Sequence, residues 1–452
     1  MYDVIIIGAG PAGLFCAYEL CKKNLRILII DKGDEPLKRL NNSRSYESIM
    51  CGVGGSGCMS DGKLNLDPFI GGNLTEFVSY EESLKLINEV DSTLISFGAP
   101  EEYVSIPEKG KEIAKNALKN GVYLYLIKQK HIGSDKLPYI INNFYRYLIS
   151  KGVNFMLNRE VIDLIVEDNK AKGVILKGNE KLLSRFVVLC PGRIGHKFFM
   201  NLCKKYNIKT RYLPIDIGVR IETRNEIMED LTKIFYDPKI YIRTKTYDDL
   251  VRTFCTNPSG FVVKETYDGL IGVNGHAFRD KKSNNTNFAF LVTVNLTKPL
   301  ENTIEYGRAI AKLATTIGGG KPILQRLGDL IKGRRSTKER IERSFIVPTL
   351  EEYTEGDISM ALPSRIITDI IEGLEKLDNV IKGIFSENTL IYAPEIKYYS
   401  LRAEVKDMES SLKNLFCAGD GCGLSRDIVN ASVTGILAGR GIIKKLNEKS
   451  SE

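Results

Sequence analysis

Histidine is scarce. The 452-residue chain has three, His131, His196 and His276, and they lie far apart. No C-x-x-C pair occurs, so no group has the ligand spacing of a zinc site. Long apolar runs are missing too. The longest, Val4 to Cys21, is broken by Gly8, Gly10, Pro11, Gly13 and Glu19, and reads as a buried strand and helix. No basic stretch precedes it, so no signal peptide is expected, and no membrane partner. No Ser-centred G-x-S-x-G elbow sits at a strand–helix turn. Neither charge sign dominates: 64 Lys+Arg against 56 Asp+Glu leaves +8, which permits an anionic partner without requiring one. Cysteines number nine, an odd count, and several lie inside apolar runs. That pattern fits reduced thiols in a cytoplasmic protein rather than a secreted disulfide framework. What remains is a globular composition, 43% hydrophobic, long enough for two or three domains.

The strongest positive signal is at the start. Residues 3–7 (DVIII) form an apolar strand, and the turn Gly8-Ala9-Gly10-Pro11-Ala12-Gly13 follows. A helical stretch comes next, then a second strand ending at Asp31-Lys32. This is a βαβ unit carrying G-x-G-x-x-G. Gly8 makes the tight turn, Gly10 admits a pyrophosphate, and Gly13 lets helix and strand pack. The helix N-terminus, with Pro11 and Ala12, faces the phosphates, and Asp31 accepts from an adenosine ribose. Gly52, Gly54 and Gly57 match the same spacing, but no strand precedes them. A second region, LFCAGDGCG at 415–423, has a short strand, then Gly419-Asp420-Gly421, then a helical run beginning near Ile428. A third, VVLCPGR at 187–193, ends a strand at Pro191-Gly192. No second complete nucleotide unit is found, so no dedicated NAD(P)H domain is expected; NAD(P)H is kept as a transient electron donor.

The three regions resemble the FAD motifs of flavoproteins with two dinucleotide-binding domains. That resemblance implies that Asp420 bonds the ribityl chain and that the following helix points at the flavin pyrimidine. Further segments, GVGGSGCMSDGKLN (52–65), HIGSDKL (131–137), DIGVRIE (216–222), RTFCTNPSGFVV (252–263), VNGHAFRD (273–280), NFAFLVTV (287–294) and APEIKYYS (393–400), resemble a widespread family of largely uncharacterised bacterial FAD-dependent dehydrogenases. It implies FAD, and adds Gly54, Gly55, Gly57 and Lys63 along the cofactor and Val161 beside it.

The expected fold is α/β: a Rossmann-like FAD-binding domain with a parallel sheet, plus an inserted α+β substrate domain on an antiparallel sheet. Short strands over 152–189 fit a meander in the first, and alternating segments between Asp216 and Leu296 read as half-buried strands of the second. Residues 303–345 read as helical. Boundaries are set at 1–75, 151–214 and 381–452 for the FAD domain, and at 76–150 and 215–380 for the substrate or cap domain.

Candidates for chemistry are fewer. Cys255 is a nucleophile or charge-transfer thiol if its pKa is lowered, and otherwise a small hydrophobe. His276, at a strand end, is a general acid or base, or a structural donor. Glu395 and Lys397 share one strand face with Tyr399 and either bind a polar substrate or form an ion pair between domains. His131 with Lys136 meets an anion or anchors its loop. Cys51 and Cys58 in the glycine-rich loop are ordinary small residues or a redox pair. The run from Lys332 to Arg343 has six basic residues and two acidic ones, with Ser336 and Glu339 at capping-box spacing. It is a solvated helix, or a docking site for an acidic protein, a phosphate or RNA. The expected function is an FAD-dependent oxidoreductase moving a hydride between flavin N5 and a small organic substrate. The alternatives are an FAD-dependent RNA-modifying enzyme and a flavin electron-transfer protein with a redox partner protein. A nucleic-acid partner is not expected.

Overall fold

The computed structural model describes residues 1–42, 49–60, 62–104, 106–235, 237–267, 269–278, 281–299, 301–398 and 401–450. The chain divides into two compact units: Met1–Ser105, Ile127–Leu213 and Ser400–Glu452 in one, Ile106–Leu126 and Pro214–Tyr399 in the other.

The first unit is built on a parallel sheet. Its strand order is Asn154–Met156, Ile27–Ile30, Tyr2–Ile7, Lys181–Leu189, Leu415–Cys417. The DVIII and LRILII runs are continuous apolar strands because both sheet faces are covered. Val161–Glu167, Lys170–Leu176 and the start of Lys181–Leu189 form the antiparallel meander. Helices Pro11–Leu20 and Ile428–Ser450 cross at close range. A Cβ added at Gly435 would lie 2.0 Å from the Ala12 carbonyl oxygen, so only glycine permits that approach.

The second unit is an eight-stranded sheet with helices over its apolar face. Its central strand, Ile215–Arg224, pairs with Asn285–Val294 on one side and Leu390–Lys397 on the other. Ile215, Ile217, Val219 and Ile221 enter the core with the helices. The other face was expected to be half-buried, yet Asp216, Arg220 and Glu222 are at most 1% exposed. The hairpin Phe261–Tyr267 and Leu270–His276 stands apart from the sheet and covers that face: a Cβ at Gly275 would touch Arg220 Nη1 at 2.1 Å.

The division of the chain departs from the sequence boundaries at three places. Residues 76–105 and 127–150 belong to the first unit, because Leu86, Ile87, Val90, Leu94, Ile140, Ile141, Phe144 and Leu148 give their helices an apolar face on its core. Residues 381–399 belong to the second, where Leu390–Lys397 is an inner strand. Within 303–345, Ile323–Arg326 is a strand paired with Leu390–Ala393. The capping box at Ser336 is absent: Ser336 is buried, donates to Asp329 at 2.8 Å and accepts from the Arg326 N–H at 2.9 Å. Thr337 is the residue that starts the short helix Lys338–Glu342.

Candidate functional site

The first unit encloses a cavity of about 460 Å³, within the size range of cofactor sites. The three sequence motifs converge on it. Gly8, Gly10, Pro11 and Ala12 line it from the first turn, Asp31 and Lys32 from the end of the second strand, and Pro191, Gly192, Gly419, Asp420 and Ile428 from the other motifs. Gly55, Gly57 and Lys63 line it from the glycine-rich loop and Val161 from the meander.

Not all the glycines serve the same purpose. Gly8 has φ +103°, and a Cβ there would lie 2.0 Å from the Cys190 carbonyl oxygen. Gly13 and Gly54 are not among the residues that line the cavity. A Cβ at Gly13 would lie 2.0 Å from the Gly8 carbonyl oxygen, and one at Gly54 2.6 Å from Cys58 Cβ; both are packing glycines. Gly10 is different. Its φ of −70° suits any residue, and among the described residues beyond its chain neighbours an added Cβ meets no atom closer than 3.9 Å. Gly192, also on the cavity, has nothing within 4 Å of such a Cβ. Packing among the described residues does not require glycine at Gly10, and the bare turn leaves its backbone open to a phosphate. The cradle therefore fits a dinucleotide pyrophosphate, with the N-terminus of Pro11–Leu20 supplying the favourable dipole.

Asp31 is already engaged. Its Oδ2 accepts from the Ala9 N–H at 2.8 Å, and Oδ1 from Gly33 and Gly52 at 2.9 and 2.7 Å. A carboxylate has about four acceptor sites, so room remains for a ribose hydroxyl. Asp31 thus ties the first turn, the second strand and the glycine-rich loop together on the cavity wall. Asp420 accepts from Arg193 Nε at 3.1 Å and pairs with Arg426 at 3.6 Å. His196 starts the helix His196–Tyr206; burial lowers its pKa while Asp420 pulls the other way.

The sequence reading missed several cavity residues: Ser56, Ser60, Asn65, Arg159, Glu160, Arg193 and Asp427. One had a signal. Asp427 precedes the 23-residue helix Ile428–Ser450, where an aspartate is a preferred first cap. It accepts from the Asn430 N–H at 2.8 Å. Burial pushes its carboxyl up to about 8, against the hydrogen bonds it accepts.

Cys51 and Cys58 are both buried, and Cys51 lines the cavity. Burial raises the Cys58 pKa to about 11, with Arg39 opposing. Cys58 is thus a thiol, not a nucleophilic thiolate. In native protein it should react with a thiol reagent far more slowly than in denatured protein; fast modification of the folded chain would contradict the assignment. His131 and Lys136 are exposed, and His131 is the strand partner of Lys63.

The other candidates lie in the second unit. Glu395 is fully buried and takes two hydrogen bonds from Arg220, Nε at 2.7 Å and Nη2 at 2.8 Å. Lys397 adds a contact to Glu395 at 2.8 Å. The pair is an ion network inside one unit, not the inter-domain bridge considered from sequence. Arg220 Nη1 also donates to Asn287 Oδ1 at 2.8 Å and to the Cys255 carbonyl at 3.2 Å. Cys255 is half-buried, with φ +49°, and its Sγ is 3.7 Å from Asn257 Nδ2. His276 is exposed, and its ring stands edge-on to Phe278 at 4.5 Å. Tyr399 lies outside the described residues. In the basic run, Lys332 pairs with Glu387, and Arg334 and Arg340 with Asp329. Among the described residues, no three His, Cys, Asp or Glu side chains come together to hold a metal ion, and no helix is long and apolar enough to cross a membrane.

Residues 214–398 match the family model of an FAD-dependent protein, C-terminal domain-like. Residues 6–55 match an NAD(P)-binding Rossmann-like domain, and 349–450 match glucose inhibited division protein A. An uncharacterized protein of Clostridium beijerinckii is 25% identical over 476 residues, covering 98% of this chain and 81% of the relative. A glycerol 3-phosphate dehydrogenase of Caloramator mitchellensis is 26% identical over 215 residues, covering 44% of this chain and 43% of the relative. Among solved structures, pyridoxine 4-oxidase from Mesorbium loti is 12% identical with a TM-score of 0.46, and 99% of each chain is covered. The matches fit a largely uncharacterised family of FAD-dependent dehydrogenases, and FAD is the cofactor.

Proposed function

Starting from an FAD-dependent oxidoreductase, we propose that the chain moves a hydride between its flavin and a small organic substrate. The observation that carries the reading is the cavity whose lining joins three motif segments around a glycine, Gly10, that protein packing leaves unexplained. Bound FAD supplies two-electron chemistry at flavin N5. The residues of the first unit bind and orient it. Gly10 and Gly55 approach the pyrophosphate, Asp31 the adenosine ribose, and Asp420 the ribityl chain. Arg193 and Arg426 hold the Asp420 carboxylate in place.

In the second unit, Glu395 is committed to Arg220, so its role is to hold the network. Lys397 and Cys255, the partly exposed members, are proposed as the groups offered to a polar substrate; His276 is a weaker candidate because its ring leans on Phe278. A Lys397→Met variant that keeps flavin but raises KM without changing kcat would fit substrate binding.

The test is the visible spectrum of anaerobic protein during addition of NADH and then NADPH. Rapid bleaching by either is the expected result if nicotinamide is the transient donor. A yellow protein that stays oxidised with both, but bleaches with a reduced metabolite, keeps the hydride reading and removes nicotinamide. A yellow protein reduced only by another protein overturns the small-substrate reading in favour of electron transfer.

A further inference from the structure

The cavity has a direction. Asp31 marks one end, bonded to Ala9 and Gly52. Moving away from it, Gly10 abuts Gly55, where an added Cβ would be 3.2 Å from Gly10 Cα. Gly57 then abuts Pro11 and Ile428, at 3.5 and 3.1 Å by the same measure. Ile428 leads to Asp427, and Asp427 to Asn65. With the ribose at Asp31 and the pyrophosphate at Gly10, this chain of contacts would leave Asp427 for the redox-active ring. This inference rests on the FAD reading above.

At that end Asp427 is held in a left-handed conformation, φ +62°. Its Oδ1 caps the long helix through the Asn430 N–H, which leaves Oδ2 toward Asn65 Nδ2 at 3.5 Å. Gln129 Nε2 donates to Asn65 Oδ1 at 2.8 Å, and so turns the Asn65 amide N–H group toward Asp427. The 68–72 segment closes over the same point: a Cβ at Gly71 would lie 2.8 Å from Asp427 Cγ, and Asn430 Nδ2 donates to the Ile70 carbonyl at 2.5 Å. Lys63 and Asp420 line the same cavity, Asp67 acts on Asp427 through its charge, and Arg426 precedes Asp427 in the chain. Asp67 is a like charge that disfavours ionised Asp427, and Arg426 is drawn to Asp420 at 3.6 Å. Asp427 is thus a carboxyl on the cavity wall with its oxygens met by amide N–H groups, and burial pushes it up to about 8.

We propose that Asp427 is the proton-holding group of the cavity: its carboxylate takes one proton from solvent when the bound cofactor receives two electrons, and returns that proton on reoxidation. One O–H bond forms at the Asp427 carboxyl. The electrons come from the reductant, and Asp427 itself is neither oxidised nor reduced. The linkage operates above the pH at which Asp427 ionises in the oxidised protein; below it the group is neutral in both states.

The experiment is the midpoint potential of the FAD-loaded protein from pH 6 to pH 10, wild type against Asp427→Asn. Asparagine keeps the cap acceptor and tolerates the left-handed backbone. The two curves should coincide below about pH 7. Above it the wild type should fall more steeply, by one extra proton per two electrons, or about 30 mV per pH unit. Parallel curves across the whole range overturn the proposal. A wild-type measurement stands beside it: the reduced-minus-oxidised infrared spectrum at pH 9, with dithionite as reductant, should gain a deuterium-sensitive carboxylic acid carbonyl band. No such band overturns the proposal even if the variant fails to fold. A wild-type protein that carries no flavin at all fails the FAD reading instead, and that is visible before any potential is measured.

Discussion

A Gly10→Val variant should fold as the wild type does and come off purification without flavin. The two halves of that expectation have separate causes. At Gly10 the backbone, φ −70° and ψ −177°, is open to any L-residue. Beyond its chain neighbours, the nearest described atom to an added Cβ is 3.9 Å away, ordinary contact distance. The apoprotein's stability should therefore change by only about 1 kcal/mol, the cost of valine at a helix N-cap. The bound pyrophosphate has no such tolerance. Pushing it off the backbone carries an overpacking cost of about 1–3 kcal/mol, so flavin affinity should fall roughly 5- to 150-fold. Equilibrium dialysis of FAD against apoprotein, with thermal melts of both apoproteins, checks it. Gly8→Val supplies the contrast. There the backbone is left-handed and the Cβ would lie 2.0 Å from a carbonyl oxygen, so the apoprotein itself should fail to fold. A Gly10→Val protein that binds FAD like the wild type would show that the phosphates do not lie against this turn.

That contrast also marks how far the sequence could be read. The strand–turn–helix grammar of residues 2–31 is local: apolar runs, a glycine turn and an acid fix it without knowledge of the rest of the chain. The same is true of the meander and of most strands of the second unit. Spacing assigns Gly10 to an occupant and Gly13 to packing; it could not show that Gly54 is a packing glycine too, set against Cys58. Helices Tyr80–Ser96 and Leu137–Ser150 show amphipathic faces in sequence, but nothing local says which core those faces join. Ile323–Arg326 is too short to announce itself, and becomes a strand only because Leu390–Lys397 offers it an edge. The polar residues of DIGVRIET alternate as they would on a solvated face. Only tertiary structure shows the hairpin lying over them. Asp427 was legible as a helix cap, but not as a cavity carboxyl, because burial depends on the distant segments 65–72 and 428–431.

Glu395→Gln should cost far more stability than any change among the exposed ion pairs. Arg220 and Glu395 are each 0% exposed, and the substitution keeps the volume while removing the charge that offsets a buried guanidinium. Breaking one member of a buried pair typically costs about 3–5 kcal/mol, because the other charge is left uncompensated. Asn287 Oδ1, Asn274 Oδ1 and the Cys255 carbonyl still accept from Arg220, but none carries a charge. At about 2–4 °C per kcal/mol for a unit of this size, the melting temperature should drop by roughly 10 °C. Lys397→Met should cost much less, since its side chain is 16% exposed and Glu395 keeps both bonds to Arg220. The pH dependence has a definite sign. Burial pushes Glu395 up, but Arg220 and then Lys397 outweigh it and hold the carboxyl below its ordinary value. A depressed carboxylate stabilises the fold above its unfolded pKa, about 4.3, and loses that contribution as the pH falls through the folded value. The gap between wild type and Glu395→Gln should thus be constant from pH 6 to 8 and close progressively below about pH 4. A gap of a few tenths of a kcal/mol at pH 7, the size of a surface pair, would mean that water reaches Arg220 and that the covered face of the sheet is open.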